Sequence, residues 1–81
     1  MRPVDWDELA RICEAEGYKF RRMKGDHYIM TKPGMTRPVV IPKKRGLKED
    51  IVLGVGRTIG LDRKALDSKL TLKNKGSSAK P

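Results

Sequence analysis

Gly17 separates two hydrophobic periods, and that switch limits the possible folds more than any other feature of the chain. Before it, Trp6, Leu9, Ala10 and Cys13 recur at i, i+3, i+4 and i+7, with Ile12 beside them. That is the stripe of an amphipathic helix. After it, Tyr18-Lys19-Phe20-Arg21-Arg22-Met23 begins in apolar–polar alternation, the pattern of a strand with one buried face. A chain that changes period in this way must lay a helix on a sheet.

The boundaries follow from local chemistry. Asp5 is a good N-cap, Glu8 completes a capping-box pattern, and Val4 and Leu9 are spaced for a hydrophobic staple. Gly17 stands where a helix ends in a left-handed residue. The first helix is therefore expected over about 5–16, with the Asp5-x-Asp7-Glu8 acids serving as cap and dipole partners rather than as a catalytic cluster. Lys24-Gly25-Asp26 supplies the tight turn of a hairpin that returns along 27–32. Pro33-Gly34 suits the central positions of a type II turn. Val39-Val40-Ile41, bounded by Pro38 and Pro42, is a short third strand, placed at the sheet edge because proline donates no ladder hydrogen bond.

A second helix is expected over about 48–59, with Ile51, Val52, Val55 and Ile59 facing inward. Gly54 and Gly56 each cost it about 1 kcal/mol relative to alanine, which points to close packing at both. Gly60 ends that helix, and Asp62 caps a short third one whose apolar positions are Leu66 and Leu70. From Thr71 onward Leu72 is the one large apolar residue, so 71–81 reads as a disordered basic tail after a single domain over 1–70. The class is α+β: three antiparallel strands in a meander, helices on one face, the other face open. Periodicity does not say whether His27, Ile29 and Thr31 or Tyr28, Met30 and Lys32 face the helices. Tyr18, Phe20 and Tyr28 are expected in the core, with Tyr28 the exception if its face is open.

Size and charge narrow the function. Eighty-one residues, 37% of them hydrophobic, make one small core. They exclude a Rossmann domain, a TIM barrel and a deep cofactor cavity. The net charge of +9 is uneven: residues 1–16 sum to −3, residues 17–50 to +7 and residues 51–81 to +5. A basic face of that density asks for an anionic partner, nucleic acid first. Cys13 is the single cysteine, so no internal disulfide forms. The N-terminus has no apolar run of signal-peptide type, and Ile51-Val52-Leu53 is far too short to span a bilayer. One histidine and one cysteine do not make a zinc site. The expectation is a cytoplasmic protein with no metal, no cofactor and no membrane partner.

His27 is the side chain able to take and give protons near neutrality. It follows a glycine turn at the start of a strand, with Arg21, Arg22 and Lys24 just before it. A base on a rigid strand beside phosphate-binding cations is what RNA transesterification requires. The 2′-hydroxyl must lose a proton to attack phosphorus, and positive charge must offset the charge that grows on the phosphoryl oxygens. RNA brings its own nucleophile, so a very small protein suffices. Lys19, Arg21, Arg22 and Lys24 on the first strand and Lys43-Lys44-Arg45 before the second helix are the candidate backbone-binding groups.

These residues carry a resemblance. A leading helix, then Gly-Tyr-Lys-Phe, Arg-Arg-Met-Lys-Gly-Asp-His-Tyr-Ile-Met, Val-Val-Ile-Pro and a helix ending Ile-Gly-Leu-Asp together resemble the HicA family of toxins, over about residues 5–70. The most specific part is the Lys24-Gly25-Asp26-His27 turn. The resemblance implies a double-stranded-RNA-binding-domain-like α-β-β-β-α sandwich with a short extra C-terminal helix. It also implies mRNA interferase activity with His27 as the catalytic histidine, and a HicB-type antitoxin that covers the site. Two positions depart from the family pattern. Asp26 stands where serine is usual, and Glu49-Asp50 replaces a Gly-Thr at the second helix. An acid at 26 keeps His27 protonated, repels substrate phosphate, or is simply a turn residue. The alternative functions are a non-catalytic RNA-binding module of the same fold and a basic face that binds an acidic protein.

Overall fold

The computed structural model describes the backbone of residues 3–78 and the side chains of residues 3–70. Its elements run α1 (Trp6–Ala15), β1 (Lys19–Lys24), β2 (His27–Thr31), β3 (Val39–Pro42), α2 (Glu49–Ile59) and α3 (Arg63–Ser78). The strands form one antiparallel sheet in the order β1-β2-β3, so β3 is an edge strand, as its flanking prolines require.

Helix α1 starts where its cap predicts. Asp5 is extended, and Glu8 Oε1 reaches back to accept from the Asp5 amide at 3.2 Å. Gly17, at φ +95°, turns the chain out of the helix. Lys32-Pro33-Gly34-Met35 closes as a type II turn, with the Met35 amide donating to the Lys32 carbonyl at 3.0 Å and Gly34 at φ +85°. At the end of α2, the Leu61 amide donates to the Gly56 carbonyl and the Gly60 amide to Arg57, a Schellman pair.

The core gathers Leu9, Ala10, Ile12 and Cys13 of α1, Val52, Val55 and Ile59 of α2, and Tyr18, Met30, Val39, Ile41, Leu66 and Leu70. Tyr28 and Met30 therefore face the helices. Their ladder partners on β3, Ile41 and Val39, do the same, and His27 and Ile29 share the opposite face with Pro42 and Val40. The helices lie against β3 and leave β1 exposed along its whole length. For that reason Phe20 is half-exposed rather than buried in the core. It ends a row of rings, 4.8 Å from Tyr28, which is 5.0 Å from Trp6.

The two glycines of α2 differ. A Cβ on Gly56 would lie 2.5 Å from Leu66 Cδ1 and 2.8 Å from the Leu61 carbonyl oxygen, so α3 docks by close approach there. A Cβ on Gly54 would meet nothing within 4 Å, and close packing does not explain it.

The third helix corrects an expectation. It is not short and does not end near residue 70, because its backbone is helical through Ser78. Asp62 Oδ1 accepts from the Ala65 amide at 2.8 Å to start it, Leu66 and Leu70 seat it on the core, and neither Gly nor Pro occurs between 62 and 76 to stop it. The part of the expected tail over 71–78 is thus helical in its backbone, and 79–81 lie outside the described residues.

Candidate active site at the first hairpin

The β1–β2 hairpin has a two-residue loop, Gly25-Asp26. Gly25 is at φ +62°, and Asp26 is not at positive φ, which is the type II′ pattern that favours glycine first. This turn puts His27 at the first position of β2, directly opposite Lys24 on β1 and Pro42 on β3. His27, Lys24 and Pro42 make one row across the sheet on the face away from the helices. Arg22, paired with Ile29, lies on the same face. Arg21 is the extra residue of a β-bulge between Phe20 and Arg22.

The His27 side chain is 47% exposed, and Asp26 Oδ1 lies 3.2 Å from its Nδ1. Nε2 has no protein partner among the described residues. A carboxylate beside Nδ1 favours the proton there and leaves the Nε2 lone pair free to act on a substrate. To the three roles open to Asp26 this contact adds a fourth: it orients the ring.

The basic loop is tied to the same turn. The Lys43 amide donates to the Asp26 carbonyl at 2.8 Å, and the Trp6 amide donates to the Lys44 carbonyl at 3.1 Å. The Asp5 carboxylate accepts from the Gly46 amide at 2.9 Å and pairs with Arg45 at 3.1 Å. The N-cap of α1 therefore also anchors this loop.

The predicted cations separate into groups. Lys24 and Arg22 share the face of His27. The Lys43 backbone adjoins the turn, while its Nζ lies 5.2 Å from the Trp6 ring centroid on the helix side. Lys44 is exposed, and Arg45 is held by Asp5. Lys19 pairs with Thr31 at the far end of the hairpin, four residues along β2 from His27 and so roughly 13 Å away. It faces the Pro33–Gly34 turn and is not brought to the histidine.

Next to His27 a groove of about 360 Å³ opens between the β3 edge and α2. Val40 and Pro42 form one wall, and Asp50, Ile51 and Gly54 the other. In the sequence Asp50 reads as a helix-start acid and Gly54 as a packing glycine. Neither carries a local signal of a groove, because the groove exists only once α2 lies beside the edge strand. No group of three or more His, Cys, Asp or Glu side chains is placed to hold a metal ion among the described residues. No helix among them is long and apolar enough to cross a membrane.

The hairpin, its histidine and the helices around them lie inside one stretch that matches a known family. The family model described as "HicA toxin of bacterial toxin-antitoxin" matches residues 6–61, more than half of the chain. The chain belongs to the HicA toxin family. The match runs from the start of α1 to just past α2, so it takes in the sheet, the His27 turn and the basic loop. Membership gives the chain a toxin's role and, with it, a cognate antitoxin as partner. Searches of curated proteins and of solved structures find no match.

Proposed function

We propose that this HicA-family chain is an endoribonuclease that cleaves mRNA by metal-independent transesterification, with His27 as general acid and base. The observation that carries the reading is the row across the sheet: a half-exposed imidazole with free Nε2, and Lys24 directly opposite on the same face. In the reaction, Nε2 takes the proton of a ribose 2′-hydroxyl as its oxygen attacks the adjacent phosphorus. The bond from phosphorus to the 5′-oxygen breaks, and the imidazolium returns its proton to that oxygen. The products are a 2′,3′-cyclic phosphate and a 5′-hydroxyl, so no co-reactant is consumed. Lys24 and Arg22 offset the charge that grows on the phosphoryl oxygens. Lys19 on the same face and Lys44 of the adjoining loop bind the RNA backbone on either side. The partner is a HicB-type antitoxin that covers this face, and the mRNA substrate puts the activity in the cytoplasm.

The test is incubation of purified protein with a long mRNA in the presence of chelator. The parent is expected to cut, and His27→Ala to lower the rate by about 10²–10⁴ while its circular dichroism stays native. Cleavage by His27→Ala at the parental rate overturns the assignment. Salt-sensitive binding without any cleavage by the parent leaves the non-catalytic RNA-binding module in its place.

A further inference from the structure

We infer that the groove beside His27 is a nucleobase subsite, and that Asp50 reads the amino edge of the base next to the cut. The inference rests on the reading of His27 as the group that handles the ribose 2′-hydroxyl. A base is one glycosidic bond from its ribose, so a nucleotide held at His27 must send its base to one side of the sheet face.

The two sides are chemically opposite. Toward β1 lie Lys24 and Arg22, which suit phosphates. Toward β3 and α2 lies the groove, whose volume of about 360 Å³ falls in the range of small-ligand pockets. Its walls are apolar yet open, with Val40 44% and Ile51 36% exposed, a setting for the flat face of a base rather than for a charged group. Gly54 leaves the α2 wall bare, at a cost of about 1 kcal/mol to the helix that no packing contact explains.

The charged group on the α2 wall sets the selection, since the Thr58 hydroxyl that also lines the groove donates to the Gly54 carbonyl at 3.2 Å. Asp50 Oδ1 accepts from the Ile51 amide at 3.0 Å, and its second oxygen has no protein partner among the described residues. An ionised carboxylate only accepts, so it favours a base edge that presents an amino group. Cytosine, adenine and guanine have one, whereas the one edge donor of uracil, its N3–H, sits between two carbonyl oxygens that repel a carboxylate. The acid that would repel a phosphate at this point instead sorts bases, and the phosphates fall to the basic side. The strand is thereby oriented across the sheet.

The experiment uses 2′-O-methyl hexamers, which bind but lack the attacking hydroxyl. The parent protein is expected to hold oligo(C) about tenfold more tightly than oligo(U), within the discrimination of one good base-edge contact. Asp50→Ala should bring the two affinities together. Gly54→Leu, a better helix former that fills the groove, should weaken oligo(C) by tenfold or more with native circular dichroism. Mapping cuts on a mixed-sequence RNA should show uracil depleted at one position flanking the cut, and Asp50→Asn, which donates as well as accepts, should restore it. Equal binding of the two hexamers by the parent, a preference that survives Asp50→Ala, or cuts with no flanking bias overturns the subsite. A preference for oligo(C) with no cleavage of unmodified RNA overturns the catalytic reading and leaves the subsite standing.

Discussion

His27 and Cys13 differ sharply in solvation, and the difference decides what each can do. His27 is half-exposed at a turn, with one ring nitrogen beside a carboxylate and the other open. Cys13 is fully buried on the inner stripe of α1. Burial, then the nearby carboxylates of Glu16 and Glu14, push its thiol up to about 12 from 9.0. The thiolate is thus withheld, and Cys13 is a core atom group rather than a nucleophile. The shift has a consequence for stability. Below about pH 9 the thiol is protonated in folded and unfolded chains alike. As pH rises from 9.0 toward about 12, the unfolded chain ionises while the folded chain does not, so the contribution of Cys13 to stability falls. Cys13→Ala is expected to lose about 1 kcal/mol at pH 7, and because the parent loses about 1.4 kcal/mol per pH unit above 9.0, the gap should close near pH 10 and reverse in sign by pH 11. Denaturant midpoints of the two proteins across that range check it, and a constant gap would contradict the burial argument.

At the scale of elements, α2 does two jobs with two glycines. Gly56 lets α3 approach until a methyl would collide with the Leu61 carbonyl, which is backbone and does not move aside. Gly56→Ala is therefore expected to destabilise by about 1–3 kcal/mol through overpacking. Gly54→Ala meets open space and should stabilise by up to about 1 kcal/mol, raising the melting temperature by roughly 4–8 °C. Thermal melts of the pair give opposite signs if the packing is as described. The two glycines look alike in the sequence, because helix propensity is blind to what lies across from a residue. The same limit accounts for the rest of what was not legible. Caps at Asp5 and Asp62, and the helix-ending glycines 17 and 60, act within a few residues and could be placed from the sequence. So could the strands, from their alternation. But alternation has no sign, so only packing shows that Tyr28 and Met30 face inward and His27 outward. The bulge at Arg21, the overhang of β1 that exposes Phe20, and the groove with Asp50 all depend on how far the helices reach over the sheet. The length of α3 is hidden for a different reason: a polar helix carries little hydrophobic pattern beyond Leu70.

Over the whole molecule, charge is sorted in a way that predicts how binding responds to salt. The acidic residues of 1–16 lie on α1 and its two caps, while the +7 of residues 17–50 lies mainly on the strands and loops. Lys19, Arg22 and Lys24 share the face of His27 by register, and Lys44 extends it at the loop tied to the Asp26 carbonyl. If these four contact phosphates, single-stranded RNA binding should fall with a log–log salt slope of about −3, at about −0.7 per contact. The total charge sets no such number, because Arg45 is held by Asp5 and Lys43 lies over Trp6. A protein that bound RNA through its charge as a whole would show a steeper slope, spread evenly over all its cations. Replacing Arg22 and Lys24 together with glutamine is expected to shallow the slope by about 1.4 units and to weaken oligo(C) and oligo(U) equally. Asp50→Ala should leave the slope near its parental value while erasing the difference between the two. Filter-binding titrations between 50 mM and 200 mM salt separate these effects. The face works as argued only if phosphate affinity is lost on the β1 side of His27 and base preference on the α2 side.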